Sequence, residues 1–312
     1  MTFAPVECMK DKAKAAWRVF RIRVRLWERL RQLQRSGKGE GPPSVRRPGH
    51  SPPGGSWMRK IDSGGAAGRS MPDRPKGVRF PVMFQGWTRI SFLHWPYDPT
   101  TLQTYLPSGL AIDTFEQTGW VGLTPFHLTG LRPPFLPVIP GLSNFPETNL
   151  RTYVLGPAGP GIWFFSLDAA SRLTVVGARL VYRLPYHWAT MAVTMTGTRI
   201  QYTSARARDG ASAKISVAVG EPVSEPDDRG RFLTERYRLY TRYRDSLAVC
   251  EVEHLPWRLF RGTLVHSTET IRRAAGLPDD AGPPLVHYSP GVHVRVGGLR
   301  RLKQSGQADG SA

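Results

Sequence analysis

The chain has 312 residues, with 43 Lys or Arg against 24 Asp or Glu and a formal charge of +19, which is room for one large or two small domains. Thirteen of those nineteen charges fall in residues 1–80, so the rest carries +6, too little to mark a nucleic-acid surface. No run reaches the roughly 18 apolar residues of a membrane span, which leaves a soluble cytoplasmic protein without a nucleic-acid partner as the expectation.

Residues 10–35 place Trp17, Phe20, Val24 and Trp27 on one helical face among seven arginines, a basic amphipathic pattern suited to an anionic membrane surface, to a partner, or to an accessory tail. Residues 36–80 are Gly, Pro, Ser and Arg with almost no large apolar side chains and read as linker, so residues 1–79 form an extension. Met71 stands a natural distance ahead of the first structured segment, and an alternative is that translation begins there.

From residue 81 the texture becomes short β runs. Arg89 to Trp95 alternates and ends at Pro96. Asp98-Pro99 supplies an N-cap and an N1 proline for a short helix over Thr100–Leu106, closed by Pro107. Strands follow near 110–115, 119–127, 150–155 and 162–167, while 171–184 fits helix or strand equally. Residues 190–203 and 211–219 read as a hairpin turning at Arg208-Asp209-Gly210. Phe232–Tyr237 opens another β segment, 246–253 follows, and Leu285–Tyr288 turns through Ser289-Pro290-Gly291 into Val292–Val296. Many short strands with few helices give a mainly β (α+β) domain over 80–298, an antiparallel barrel or sandwich, with 299–312 as a disordered tail.

Several motifs in this order resemble the uncharacterised YqjF-like family of the acetoacetate decarboxylase-like superfamily. They are Phe92 to Asp98, Tyr105 to Leu110, Gly119-Trp120-Val121-Gly122, Gly141 to Val154, Gly161 to Ala169, Leu184 to His187 and His254 to Trp257. The resemblance implies a cone-like antiparallel β barrel around an apolar cavity, and its relatives' habit of assembling implies a homo-oligomer. Decarboxylases of that superfamily use a Schiff-base lysine, activated by a second lysine after a proline. Here Pro185 is followed by Tyr186-His187, and Lys214 is the only lysine between 77 and 302, so the resemblance implies no Schiff-base chemistry. Glu147 matches a carboxylate of the decarboxylase cavity, whereas the one expected near Gly122 is missing.

The candidate catalytic residues are therefore Glu147, His187 and Tyr186, with Arg151, Asp168 and His94 as candidate substrate contacts. On a strand, positions 147 and 151 share a face, so this carboxylate and this cation either serve one site or form an internal ion pair. Asp168 either faces the cavity or caps the next segment with Ser171 as a turn. His94 beside Trp95 also fits a hydrogen-bonded core histidine. His94, His127, His187, His254 and His287 show no metal-ligand spacing, and neither a Gly-x-Ser-x-Gly elbow nor a phosphate loop occurs in the domain. No metal and no cofactor are expected. Cys8 and Cys250 are too separated to suggest a disulfide framework. Two functions remain open: a lysine-independent enzyme, lyase- or hydratase-like, on a carbonyl or carboxylate compound, and a non-catalytic module holding a small apolar or acidic ligand in the same cavity.

Overall fold

In a computed structural model of the chain, residues 77–279 and 282–302 are described. The amphipathic pattern expected over 10–35, nearly all of the expected linker and the last ten residues lie outside them. The described chain forms thirteen strands and four short helices. In order these are β1 (Met83–Tyr97), α1 (Pro99–Gln103), β2 (Ala111–Ile112), β3 (Gly119–Arg132), β4 (Phe145–Gly156), β5 (Gly159–Ala169), α2 (Arg172–Val181), β6 (Tyr186–Thr196), β7 (Arg199–Arg206), β8 (Ser212–Pro222), α3 (Asp228–Thr234), β9 (Arg238–Tyr243), β10 (Ser246–His254), β11 (Phe260–Glu269), α4 (Ile271–Ala274), β12 (Leu285–Val296) and β13 (Arg300–Arg301).

All strands join one sheet, which closes twice. One ring runs β5-β6-β7-β8-β11-β12-β1-β3-β4 and returns when β4 pairs with β5. A second ring keeps β12, β1, β3, β4 and β5 and completes itself through β9 and β10, because β10 pairs with both β9 and β12. The five common strands form a wall between the two larger of three apolar clusters among the described residues. Alternation assigns each side: Leu93, Trp95, Val121, Leu123, Leu150 and Val286 join Ile200, Tyr202, Ile215 and Val217 of β7 and β8 in one core. Ile90, Phe92, Phe126, Tyr153 and Val294 join Leu239, Cys250 and Val252 of β9 and β10 in the other.

The mainly β barrel is thus found, with two departures from a purely antiparallel one: β5 runs parallel to β6 and to β9. A parallel neighbour needs a crossover, and α2 supplies it between β5 and β6. That settles the stretch as helix over Arg172–Val181, whose start is capped by the Ser171 hydroxyl accepting from the Thr174 amide. α1 starts as expected, Asp98 accepting from Thr101 N at 2.8 Å, but closes at Gln103.

Other expectations change. Residues 190–203 are not one strand, since Gly197 at φ 57 turns β6 into β7. Phe232 to Thr234 lie in α3, whose N-cap is Asp227 with an acidic Asp228 in the first turn, and the β segment starts later at Arg238. β4 begins at Phe145 rather than near 150, and β11 was not anticipated. Ser289-Pro290-Gly291 is not a turn: β12 passes straight through. Its partner β11 pairs at Phe260 and Arg261 with Tyr288 and His287, and β10 takes over only at Val294, so Pro290 sits where β12 is flanked by β1 alone. Past residue 298, where a tail was expected, Arg300 and Arg301 pair with Val249 and Ala248.

Candidate functional site

β4 carries the site. Phe145 to Val154 is almost wholly buried, and alternation sends Glu147, Asn149, Arg151 and Tyr153 to one side of the wall and Thr148, Leu150 and Thr152 to the other. The neighbouring strands are in register with it. Gly122 of β3 lies between His94 of β1 and Arg151, and Phe126 is opposite Glu147.

Glu147 is 3 % exposed, and its Oε1 accepts from the Tyr186 hydroxyl at 3.1 Å. Burial lifts its pKa to about 8, against the opposing effect of the Tyr186 and Asn149 side chains. At neutral pH the group is therefore a carboxylic acid. Because Oε1 is the acceptor for Tyr186, the proton belongs on Oε2, which has no hydrogen-bond partner among the described residues. Burial, and then Glu147, drive the Tyr186 phenol well above its ordinary pKa, so it donates and does not ionise.

Toward the other end of β4, the Tyr153 hydroxyl donates to Leu233 O and lies 2.7 Å from His94 Nε2, both at 2.7 Å. With its one proton committed to the carbonyl, Tyr153 accepts from His94 Nε2–H. The lone pair is then on His94 Nδ1, which is buried and unpartnered. Burial, followed by the charge of Arg151, holds His94 well below its usual pKa and keeps it neutral. The Arg236 guanidinium stacks over the Tyr153 ring at 5.1 Å and is neutralised by Asp113 at 2.7 Å.

Arg151 differs. Its guanidinium lies 5.7 Å from the centre of the Phe92 ring and 6.0 Å from that of Tyr153, it is 7 % exposed, and no carboxylate pairs with it among the described residues. Its Nε is also unpartnered. An internal Glu147–Arg151 ion pair, one of the two expectations for these residues, does not form.

The remaining candidates are on the far side of the wall. Asp168 pairs with Thr148 and His187, and not with the row of Glu147. Its Oδ1 takes Arg206 Nε at 2.7 Å, its Oδ2 takes Ser204 Oγ at 3.2 Å, and Arg206 Nη2 also donates to Ser166 at 2.6 Å. The helix cap is Ser171, not Asp168. His187 is half-buried, with Nδ1 at 3.9 Å from Asp209. Tyr186 and His187 are consecutive in β6, so only one of them can face Glu147, and it is Tyr186. The structure thus brings together Glu147 and Tyr186, then Arg151 and His94, and places His187 and Asp168 elsewhere. Asn149, Tyr153 and Arg236 were missed. Continuing the period of two from Glu147 and Arg151 yields the first two, whereas Arg236 was hidden by reading Phe232–Tyr237 as a strand. Lys214 is exposed on β8.

Known proteins resemble this chain at two levels. A profile of the DUF2071 family, described as an uncharacterized conserved protein, matches residues 84–293. Uncharacterized protein YqjF of Bacillus subtilis (strain 168) is 42% identical over 225 residues, which are 70% of this chain and 92% of that protein. Among solved structures, the enduracididine biosynthesis enzyme MppR complexed with pyruvate aligns at TM-score 0.53 and 12% identity, covering 73% of this chain and 93% of that one. Acetoacetate decarboxylase from Legionella pneumophila aligns at TM-score 0.52 and 12% identity, covering 81% of this chain and 98% of that one. At such identity the two structures bear on the fold alone, and the fold they share with this chain is the acetoacetate decarboxylase-like β barrel.

Proposed function

The chain belongs to the DUF2071 family, with an acetoacetate decarboxylase-like fold, and on that premise we propose that it binds a small organic acid against the inner face of β4. The observation that carries this reading is Arg151, a buried guanidinium without a counter-ion among the described residues. A buried charge is costly unless it is paired, and a guest carboxylate provides both the pairing and a bidentate geometry. Around it, Glu147 Oε2–H offers a donor, and Asn149 Oδ1 and His94 Nδ1 offer acceptors, all buried and unpartnered. Buried polar atoms without partners are rare, and four on one wall suit a guest with a carbonyl or hydroxyl besides its acid group. MppR, with this fold, is complexed with pyruvate, a carboxylate of that class.

A second reading, that the guest is also transformed, is favoured by the proton on Glu147. A carboxyl with a pKa of about 8 is placed to act as general acid near neutral pH. Such chemistry would proceed without a Schiff base, since Lys214, on the outer face of β8, is the only lysine from 77 to 302. His187, facing away, has no part in it.

Thermal shift with a panel of small 2- and 3-oxo and hydroxy acids, alongside their neutral amides, tests the binding. At least one acid should raise the melting temperature of the full chain but not of Arg151→Gln, and its amide should do nothing. Amides acting as well as acids, or an undiminished response in Arg151→Gln, would remove Arg151 from the site. Proton NMR of the bound acid then distinguishes the readings. Turnover that drops about a hundredfold or more in Glu147→Gln supports an enzyme, and an unchanged acid supports a binding module.

A further inference from the structure

On the outer face of β7, β8 and β11, away from the inner face of β4, is a pocket of about 260 Å³ lined by Arg199, Gln201, Thr203, Lys214, Ser216 and His266, with the apolar Ile215 and Val265 beside them. Its geometry follows from register. Gln201, Ser216 and His266 form one row across the three strands, Thr203 and Lys214 begin the next, and Arg199 flanks them opposite Ala218. Ile215 and Val217, between these positions, turn inward to the core.

Three features single this pocket out. Arg199, Lys214 and His266 have no ion pair with a carboxylate among the described residues, and no carboxylate lines the pocket. Gln201 and Thr203 add an amide and a hydroxyl. Most tellingly, Ser216 is on the outer face yet only 7 % exposed, and its Oγ is buried without a hydrogen-bond partner. On an outer face such a hydroxyl would normally reach water. Here it is a polar floor beneath a ring of cations and donors.

We propose that this pocket binds a phosphate group, free or carried by a small organic phosphate. The chemistry matches: a tetrahedral oxyanion with about two negative charges accepts hydrogen bonds in several directions. Arg199 offers a planar fork, Lys214 a compact charge, His266 a ring N–H, and Gln201, Thr203 and Ser216 neutral donors. The pocket exceeds the size of the ion alone, which leaves space for a short organic group. Arg199 and Lys214 come from different strands and close on the anion from two sides, so neither cation substitutes for the other.

Isothermal titration of the full chain with inorganic phosphate and with glycerol 1-phosphate, at fixed ionic strength, tests the site. The basic N-terminal stretch is present in every variant, so its own attraction for anions cancels in the comparison. Arg199→Ala and Lys214→Ala should each weaken binding roughly tenfold or more. Ser216→Ala is the sharper probe. Removing an unpartnered hydroxyl should leave the melting temperature unchanged or raised, while phosphate binding weakens several-fold. A tighter constant for glycerol 1-phosphate identifies an organic phosphate as ligand, and equal constants identify the free ion. Equal phosphate binding by the wild type and all three variants overturns the proposal.

Discussion

Glu147 holds its proton because burial leaves the ionised carboxylate without solvent and without a cation, Arg151 being further along β4 and directed to His94 and Tyr153. The consequence is a dependence of stability on pH. In the unfolded chain a glutamate releases its proton near pH 4.3, whereas in the fold Glu147 releases it near 8. Between those values the folded protein binds one proton more than the unfolded chain. Its contribution is complete below pH 4.3, falls as pH rises, and is gone above 8. In Glu147→Gln the amide carbonyl still accepts from Tyr186 and the NH2 replaces the acid O–H, but nothing titrates. Urea unfolding between pH 5 and 7.5 should therefore show the wild type losing stability relative to Glu147→Gln by about 1.4 kcal/mol per pH unit. Parallel curves for the two proteins would mean that Glu147 is ionised in the fold.

At the scale of elements, the site is a product of alternation along β4 and register with its neighbours. Gly122 shows how tightly that row is packed. A Cβ added there would meet His94 Cδ2 at 3.1 Å and the Tyr153 hydroxyl at 3.3 Å. Neither can retreat, since they bond to each other and Tyr153 is also fixed to Leu233. Gly→Ala in an ordinary strand is neutral or stabilising, but Gly122→Ala should cost about 1–3 kcal/mol in denaturant unfolding. Wild-type stability in this variant would show that the row has slack. Part of this geometry was legible in the sequence: Glu147 and Arg151 four apart on a strand had to share a face, and the resemblance marked Glu147 as a cavity carboxylate. What was not legible lay in the partner strands. Tyr186 and His187 are chemically plausible alike, and only the parallel pairing of Leu167 with Tyr186 and Asp168 with His187 decides which one meets Glu147. Arg206 of β7, the partner that occupies Asp168, is 38 residues away in sequence, and no local pattern joins them. Pro290-Gly291 misled for a similar reason, since the same dipeptide that suits a turn also suits a strand with one neighbour missing.

For the molecule as a whole, the decisive feature is that β12, β1, β3, β4 and β5 serve both rings. Strands of an ordinary barrel bury one face, but β1 and β4 bury consecutive residues, from Ile90 to Trp95 and from Glu147 to Tyr153, because each side faces a separate core. Opening this wall exposes both cores at once, while opening β7 and β8 exposes only one, and β2 and β13 are the ends of the sheet. Local opening free energies should follow that order. In native-state hydrogen exchange, the amides of Leu123, Leu150 and Val154 should exchange only through global unfolding. Those of Tyr202 and Ile215 should exchange through a cheaper opening of the β7–β8 segment, and those of Ile112 and Arg301 fastest. Were Tyr202 and Ile215 to outlast Leu123 and Leu150, the β7–β8 segment and not the common wall would be the most stable unit. The pocket on the outer face of β7 and β8 would then be built on the most rigid part of the molecule, whereas the order expected here puts the rigid part under Glu147 and Arg151, where the charge of the proposed guest would be met by side chains already in place.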